Sequence, residues 1–168
     1  DRAMRPVTPV YSWAATHAKE ICGALREDSA YVKAYYQNTG CMVNAIYPYF
    51  KLRYLAAQGY ALNEYYILGQ GSYNTYRLSG KRVVSDCMAS GSGMMNIRDR
   101  KWDASLLKTL GIEEDQLSEI VHYDQVLSLS ADGAALLGLR AGIPLIAACS
   151  DGGMNQMAIG GYREGVMS

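Results

Sequence analysis

The chain has 168 residues, 49% of them hydrophobic and 19% charged, the size of one domain with a sizeable core. Lys+Arg 16 against Asp+Glu 16 leaves a formal net charge of +0, which argues against a nucleic-acid or anionic-membrane binder with its basic excess. No apolar run approaches the roughly 20 residues of a membrane span, and the apolar content excludes disorder.

Pro6 to Trp13 reads as a short extended segment, with Pro6 and Pro9 allowed only at an edge or entry. Ala14 to Arg26 carries Ala18, Ile21, Cys22 and Leu25 at helical spacing, so one face is apolar. Ser29 to Gln37 reads as a second, shorter helix, closed by the turn signal Asn38-Thr39-Gly40. Lys51 to Gln58 is helical and Gly59 is placed to end it. Tyr65 to Leu78 is mixed, with a short helix through Tyr76 and a turn at Ser79-Gly80. Val83 to Ile97 holds Ser90-Gly91-Ser92-Gly93, a linker-like centre. Its flanking Val83, Val84, Met94, Met95 and Ile97 argue for packed structure around a turn.

Asp103 is a candidate N-cap for a helix from Ala104 to Leu110, striped by Leu106, Leu107 and Leu110 and closed by Gly111. Glu113 to Val121 reads as another short helix. Gly133 to Arg140 reads as an apolar helix ending at Gly142. Pro144 to Cys149 is a continuous apolar run, as in a strand covered on both faces. It leads into Ser150-Asp151-Gly152-Gly153 and an apolar helix through Ile159. There is no internal repeat and no clean domain boundary.

The four cysteines, Cys22, Cys41, Cys87 and Cys149, are scattered, and His17 and His122 are the only histidines. That spacing does not support a zinc site. Buried free thiols in a reducing cytoplasm are expected.

Chemistry concentrates at Asp151. In open α/β sheets ligands bind at the carboxyl ends of strands, and a carboxylate there can take a proton from a substrate hydroxyl. Gly152 and Gly153 let a ligand approach the backbone, and the helix start favours an anion. The alternative is that Asp151 only caps its helix.

Thr39-Gly40-Cys41, followed by Tyr47 and Lys51-Leu52, resembles the FGGY family of carbohydrate kinases. Further segments fall in the family's order. They are Pro6 to Val10 with Trp13, Tyr73 to Gly80, and Asp86 with Ala89-Ser90-Gly91. Trp102-Asp103, Leu106-Leu107, Leu110-Gly111-Ile112, Leu137-Gly138-Leu139, Gly142-Ile143-Pro144 and Asp151-Gly152 complete the series. The spacing looks most like the gluconate kinase branch, and so does Gly152, where xylulose and glycerol kinases tend to carry an amide.

The resemblance implies ATP-dependent phosphoryl transfer to a sugar hydroxyl, with Mg²⁺ neutralising the phosphates. It implies Asp151 as the catalytic base and Trp13, Asn44, Tyr47 and Gly152 on the sugar-binding side. Trp13 and Tyr47 are equally readable as core aromatics, and Lys51 as a solvated helix residue. It implies an α/β fold, part of a ribonuclease-H-like (actin-like ATPase) domain lacking the first strands. Residues 1–168 would be a partial sugar-binding N-terminal domain, without the nucleotide-binding second domain. ATP and Mg²⁺ would belong to the full-length parent, and the fragment alone would hold neither and be inactive. A small sugar or sugar acid is the expected partner, with no nucleic acid and no membrane, and the location is cytoplasmic. Exposed strand edges would favour a homodimer or domain-swapped dimer.

The family's Trp-x-Asp-x-Arg departs here to Trp13-Ala14-Ala15-Thr16-His17, so a charged pair is lost. A ketose kinase and a degenerate, non-catalytic sugar-binding relative are the alternatives. His17 reads as a partly exposed helix residue rather than a base. The excess of Tyr, 14 against one Phe, is unexplained beyond Tyr47.

Overall fold

Local capping chemistry sets the helix boundaries along residues 1–167, which are those described by this computed structural model. Helix α1 spans Lys19–Arg26 and α2 spans Ser29–Thr39, where the Asp28 carboxylate accepts the amides of Ala30 and Tyr31. Helix α3, Pro48–Ala57, starts on a proline whose missing N–H needs no partner there. Helix α4 is Gln70–Ser79. Strand β1, Val83–Ser85, runs straight into α5, Asp86–Ser90. Strands β2 (Met95–Asn96) and β3 (Lys101–Trp102) precede α6, Ala104–Leu110. Asp103 caps α6 by accepting the Leu106 amide, and Gly111 ends it at φ 67, a left-handed conformation that glycine adopts without penalty. Strands β4 (Glu119–Val121) and β5 (Val126–Ser128), helix α7 (Ala131–Leu137), strand β6 (Pro144–Ile146) and helix α8 (Asp151–Ala158) follow.

Strands β1 and β4 pair in parallel, with Val84 opposite Ile120. Parallel neighbours need a long crossover, and residues 86–118 supply it. The pairs β2–β3 and β5–β6 are antiparallel. The main core lies between α1, α2, α3, α5 and α6, around Phe50, Tyr49, Cys22, Leu107 and Ile112. Aromatic rings run through it. Tyr31 stacks on Tyr35 at 5.9 Å and Tyr35 on Tyr49 at 5.7 Å, and Phe50 meets both Tyr35 and Tyr49 edge-on.

Several expectations are corrected. Pro6 to Trp13 joins no sheet, and α1 begins at Lys19 because turns closed on Ser12 and Thr16 precede it. His17 therefore lies ahead of the helix rather than in it. Glu113 to Val121 is a single 3₁₀ turn, Glu114–Gln116, followed by β4. The Gln116 side chain is 1% exposed and donates to the carbonyls of Leu62 and Tyr65, a tertiary demand that overrides helical spacing. Helix α7 stops at Gly138, not Gly142. The run from Pro144 is not covered on both faces, because Pro144 and Ile146 are exposed and only Ala147 is buried deeply. It pairs with β5, a strand the sequence did not suggest, rather than extending the parallel pair. Cys22 and Cys41 are buried, but Cys87 and Cys149 are only partly so.

The C-terminal segment docks on α4 by close backbone approach. The Leu78 backbone oxygen accepts both the amide (2.9 Å) and the hydroxyl (3.0 Å) of Ser130. A Cβ at Gly133 would overlap that same carbonyl, and one at Gly71 would lie 2.7 Å from Ala148 Cβ. Gly133→Ala is therefore expected to destabilise the fold by about 1–3 kcal/mol in urea unfolding. Gly23→Ala in α1, where a Cβ meets nothing within 4 Å, should instead stabilise it by about 0.5–1 kcal/mol.

Candidate functional site

The carboxyl ends of β1 and β6 come together although the two strands do not pair. Ser85, wholly buried at the end of β1, donates its hydroxyl to the Ala148 carbonyl at 2.6 Å. The same oxygen caps α5 by accepting the Met88 amide. Two residues past Ala148, Ser150 caps α8 by accepting the Gly153 amide at 3.2 Å.

This division of labour bears on the reading of Asp151 as a cap. The cap is Ser150, so Asp151 is the first residue of α8 rather than its N-cap. Asp151 is exposed, and its Oδ1 accepts the Gly152 amide at 2.8 Å. Gly152 is exposed as well, and a Cβ there would meet nothing within 4 Å. An accessible carboxylate beside open space can take up a proton from a bound hydroxyl.

A second carboxylate stands nearby on the chain that meets Ser150. Asp86 opens α5, accepts the Cys87 amide at 2.8 Å and faces Arg100 at 3.7 Å. Sequence reasoning used Asp86 only as a family marker. Its position directly after a buried strand was the signal that could have placed it at the site.

The other wall lies at the far end of α5, a helix whose five residues span about 7–8 Å. Cys41 donates to the Ser90 carbonyl at 3.3 Å, and Tyr47 Cβ lies 3.3 Å from the Cβ that Gly93 would carry. Tyr47 is partly buried, and burial first, then the Cys41 thiol, pushes its hydroxyl up. Asn44 folds the loop by accepting the Ile46 amide at 3.1 Å. Asn44 also lines a groove with Arg26, Val32, Tyr36, Met42 and Val43.

Lys51 is not a solvated helix residue. It is 7% exposed, and its ammonium donates to the carbonyls of Ala45 (2.6 Å) and Ile46 (2.8 Å). Burial pushes its pKa down. Lys51 thus pins the loop that carries Asn44 and Tyr47. Trp13 is not a core aromatic either, being 79% exposed in the turns before α1. His17 packs its ring against Tyr11 at 5.2 Å and Tyr54 at 5.3 Å. The fold thus brings Asp151 and Gly152 to one end of α5 and Tyr47 with the Asn44 loop to the other. No hydrogen bond among the described residues ties Trp13 to either wall.

A sequence profile of the FGGY family of carbohydrate kinases, N-terminal domain, matches residues 1–159. A gluconokinase of Bacillus subtilis (strain 168) is 24% identical over 168 residues, covering 98% of this chain and 33% of the relative. The chain therefore spans about a third of the length of that curated relative. A crystal structure of gluconate kinase from Lactobacillus acidophilus superposes with a TM-score of 0.82 at 26% identity, covering 92% of this chain and 32% of that one. A ligand-bound xylulose kinase from Lactobacillus acidophilus gives 0.80 at 26% identity over the same shares. The α/β fold is thus that of part of an actin-like ATPase domain.

The wall behind Tyr47 rests on Tyr35, whose hydroxyl donates to the Gly93 carbonyl at 2.9 Å. The Tyr31 hydroxyl is buried near Tyr49 and Arg53 without a well-formed hydrogen bond to either. Tyr35→Phe should cost about 0.5–1.5 kcal/mol, and Tyr31→Phe should be neutral or slightly stabilising. Burial raises Tyr31 to about 12 and Tyr35 further. Both hold their protons in the folded state after the unfolded chain has lost them. Their contribution is full below pH 10.0 and is lost as pH rises through 12. Lys51 works in the opposite sense, its lowered pKa relieving a penalty as pH climbs towards 10.5. Urea midpoints should therefore fall above pH 10, and less steeply in Tyr35→Phe.

Proposed function

Because the chain belongs to the FGGY family of carbohydrate kinases, as its N-terminal domain, we propose that it forms the sugar-binding side of an enzyme that phosphorylates gluconate or a similar sugar acid with ATP. The observation that carries this reading is the exposed Asp151 carboxylate at the first turn of α8, whose N-cap is Ser150. Asp151 takes the proton from the sugar hydroxyl that becomes the phosphate ester oxygen. Tyr47 and Trp13 offer ring faces to the sugar's C–H surface, and Asn44 lies on the loop that Lys51 holds in place.

Gluconate is favoured by Gly152, which leaves room beside the base for an acidic, open-chain substrate. The near-equal likeness to a xylulose kinase supports a ketose as the second reading. The loss of the charged pair at Ala15 and His17 bears on the choice of sugar, and the His17 ring is occupied by packing on Tyr11 and Tyr54.

ATP is the phosphoryl donor in this reading, and Mg²⁺ supplies charge neutralisation to its phosphates. In this reading both are held by the full-length parent, and the 168-residue chain alone is proposed to hold neither. The enzyme is proposed to act in the cytoplasm, with no nucleic acid or membrane among its partners. No helix among the described residues is long and apolar enough to cross a membrane. The well-exposed Val126, Leu136, Ile146, Met157 and Tyr162 support self-association as a homodimer or domain-swapped dimer, for which light scattering should give twice the chain mass.

In the enzyme that contains this domain, Asp151→Asn should lower kcat with gluconate by about 10²–10⁴ and change KM little. Near-normal turnover would sink the base assignment. Gly152→Asn should leave the unfolding midpoint within about 0.5 kcal/mol while moving kcat/KM from gluconate towards xylulose. The 168-residue chain alone should turn over no ATP with gluconate, which a coupled assay reads directly.

A further inference from the structure

Cys87 meets Ser150, the residue that lies between Cys149 and Asp151 in the chain. The Cys87 sulfur lies 3.1 Å from Ser150 Oγ and accepts the Ser150 amide N–H at 3.4 Å. Cys149 is the residue before Ser150, and its thiol reaches the Ala147 carbonyl at 3.6 Å. The buried bond from Ser85 to Ala148 holds the two segments together from beneath. A Cβ at Gly153 would lie 3.4 Å from the Cys87 sulfur, so Cys87 is packed into the start of α8.

We propose that Cys87 and Cys149 are a reversible disulfide site, oxidised by a low-molecular-weight disulfide such as glutathione disulfide. One protein thiolate attacks the small disulfide, forming a mixed disulfide and releasing one small thiol. The second thiolate attacks the protein sulfur of that adduct and releases the other small thiol. Two protein thiols lose two electrons and two protons, and one small disulfide becomes two thiols.

Access sets this pair apart. Cys87 and Cys149 are partly exposed, whereas Cys22 and Cys41 are buried in the main core. The two thiols are also neighbours. Cys87 accepts the Ser150 amide, whose nitrogen is bonded to the carbonyl carbon of Cys149, and the Cys149 thiol is pushed up by burial first and then by Cys87. The bond would tie the start of α5 to the start of α8 and hold the backbone one residue from Asp86 and two from Asp151. Any effect on phosphoryl transfer rests on the kinase reading, but the pairing itself does not.

The test is a peptide map of the 168-residue chain after incubation with glutathione disulfide and quenching by alkylation. Trypsin should yield residues 83–98 joined to residues 141–163, with the parent mass reduced by two hydrogens. Two of the four thiols should vanish from a thiol titration, and dithiothreitol should restore them. Cys87→Ser and Cys149→Ser should each accumulate one glutathione adduct and no internal link. Separate adducts on Cys87 and Cys149 without a link, a link to Cys22 or Cys41, or no reaction would each overturn the proposal. The map of the unsubstituted chain decides the matter even if a serine variant fails to fold. The readout is independent of activity, so its failure and that of the Asp151 assignment are distinguishable.

Discussion

One buried hydroxyl organises the site. Ser85 ends β1, caps α5 and grips the carbonyl of Ala148 at 2.6 Å. A hydroxyl has one proton and two lone pairs, and here the proton and one lone pair serve different segments. The capping bond sets the direction of α5, and with it the position of the Tyr47 wall at the other end. The Ala148 bond sets where the β6–α8 junction lies. The β6–α8 junction that carries Asp151 and Gly152 is reached through the second of those bonds, while Lys51 holds the loop of Asn44 and Tyr47. Losing a fully enclosed partner is costly because no water replaces it.

The parts of this arrangement that were legible in the sequence are those governed by neighbours in the chain. Helix α6 was read to the residue, because Asp103, the leucine stripe and Gly111 are all local signals. The segment from Glu113 was misread because the decisive contacts of Gln116 are to Leu62 and Tyr65, some fifty residues away. The apolar run at Pro144 suggested a strand covered on both faces, yet its partner β5 leaves two of its three strand residues exposed. Asp151 was visible as a candidate, but which residue is the N-cap was not, since Ser150 and Asp151 are both good caps. The family was legible from the order of many short segments, none decisive alone. The meeting of Cys87 with Ser150 had no sequence signal, because it follows from tertiary docking.

The tyrosine excess has a physical explanation in the core. Tyr31, Tyr35 and Tyr49 stack in series, with Phe50 set edge-on. Phenol rings pack as well as phenyl rings and add a hydroxyl, which Tyr35 uses to fix the Gly93 carbonyl. The backbone behind the Tyr47 wall is therefore held by side chains of the core, and the wall inherits the rigidity of the aromatic stack. Lys51 completes the wall from the other side, with a buried cation satisfied by two carbonyls.

Gly152 stands apart from this network. Gly71, Gly133 and Gly153 are all crowded by neighbouring atoms, whereas a Cβ at position 152 would meet nothing within 4 Å. A residue there can be exchanged without disturbing the architecture that presents Asp151. If Gly152 borders the sugar as proposed, a change of side chain there would alter the site while leaving the scaffold unchanged.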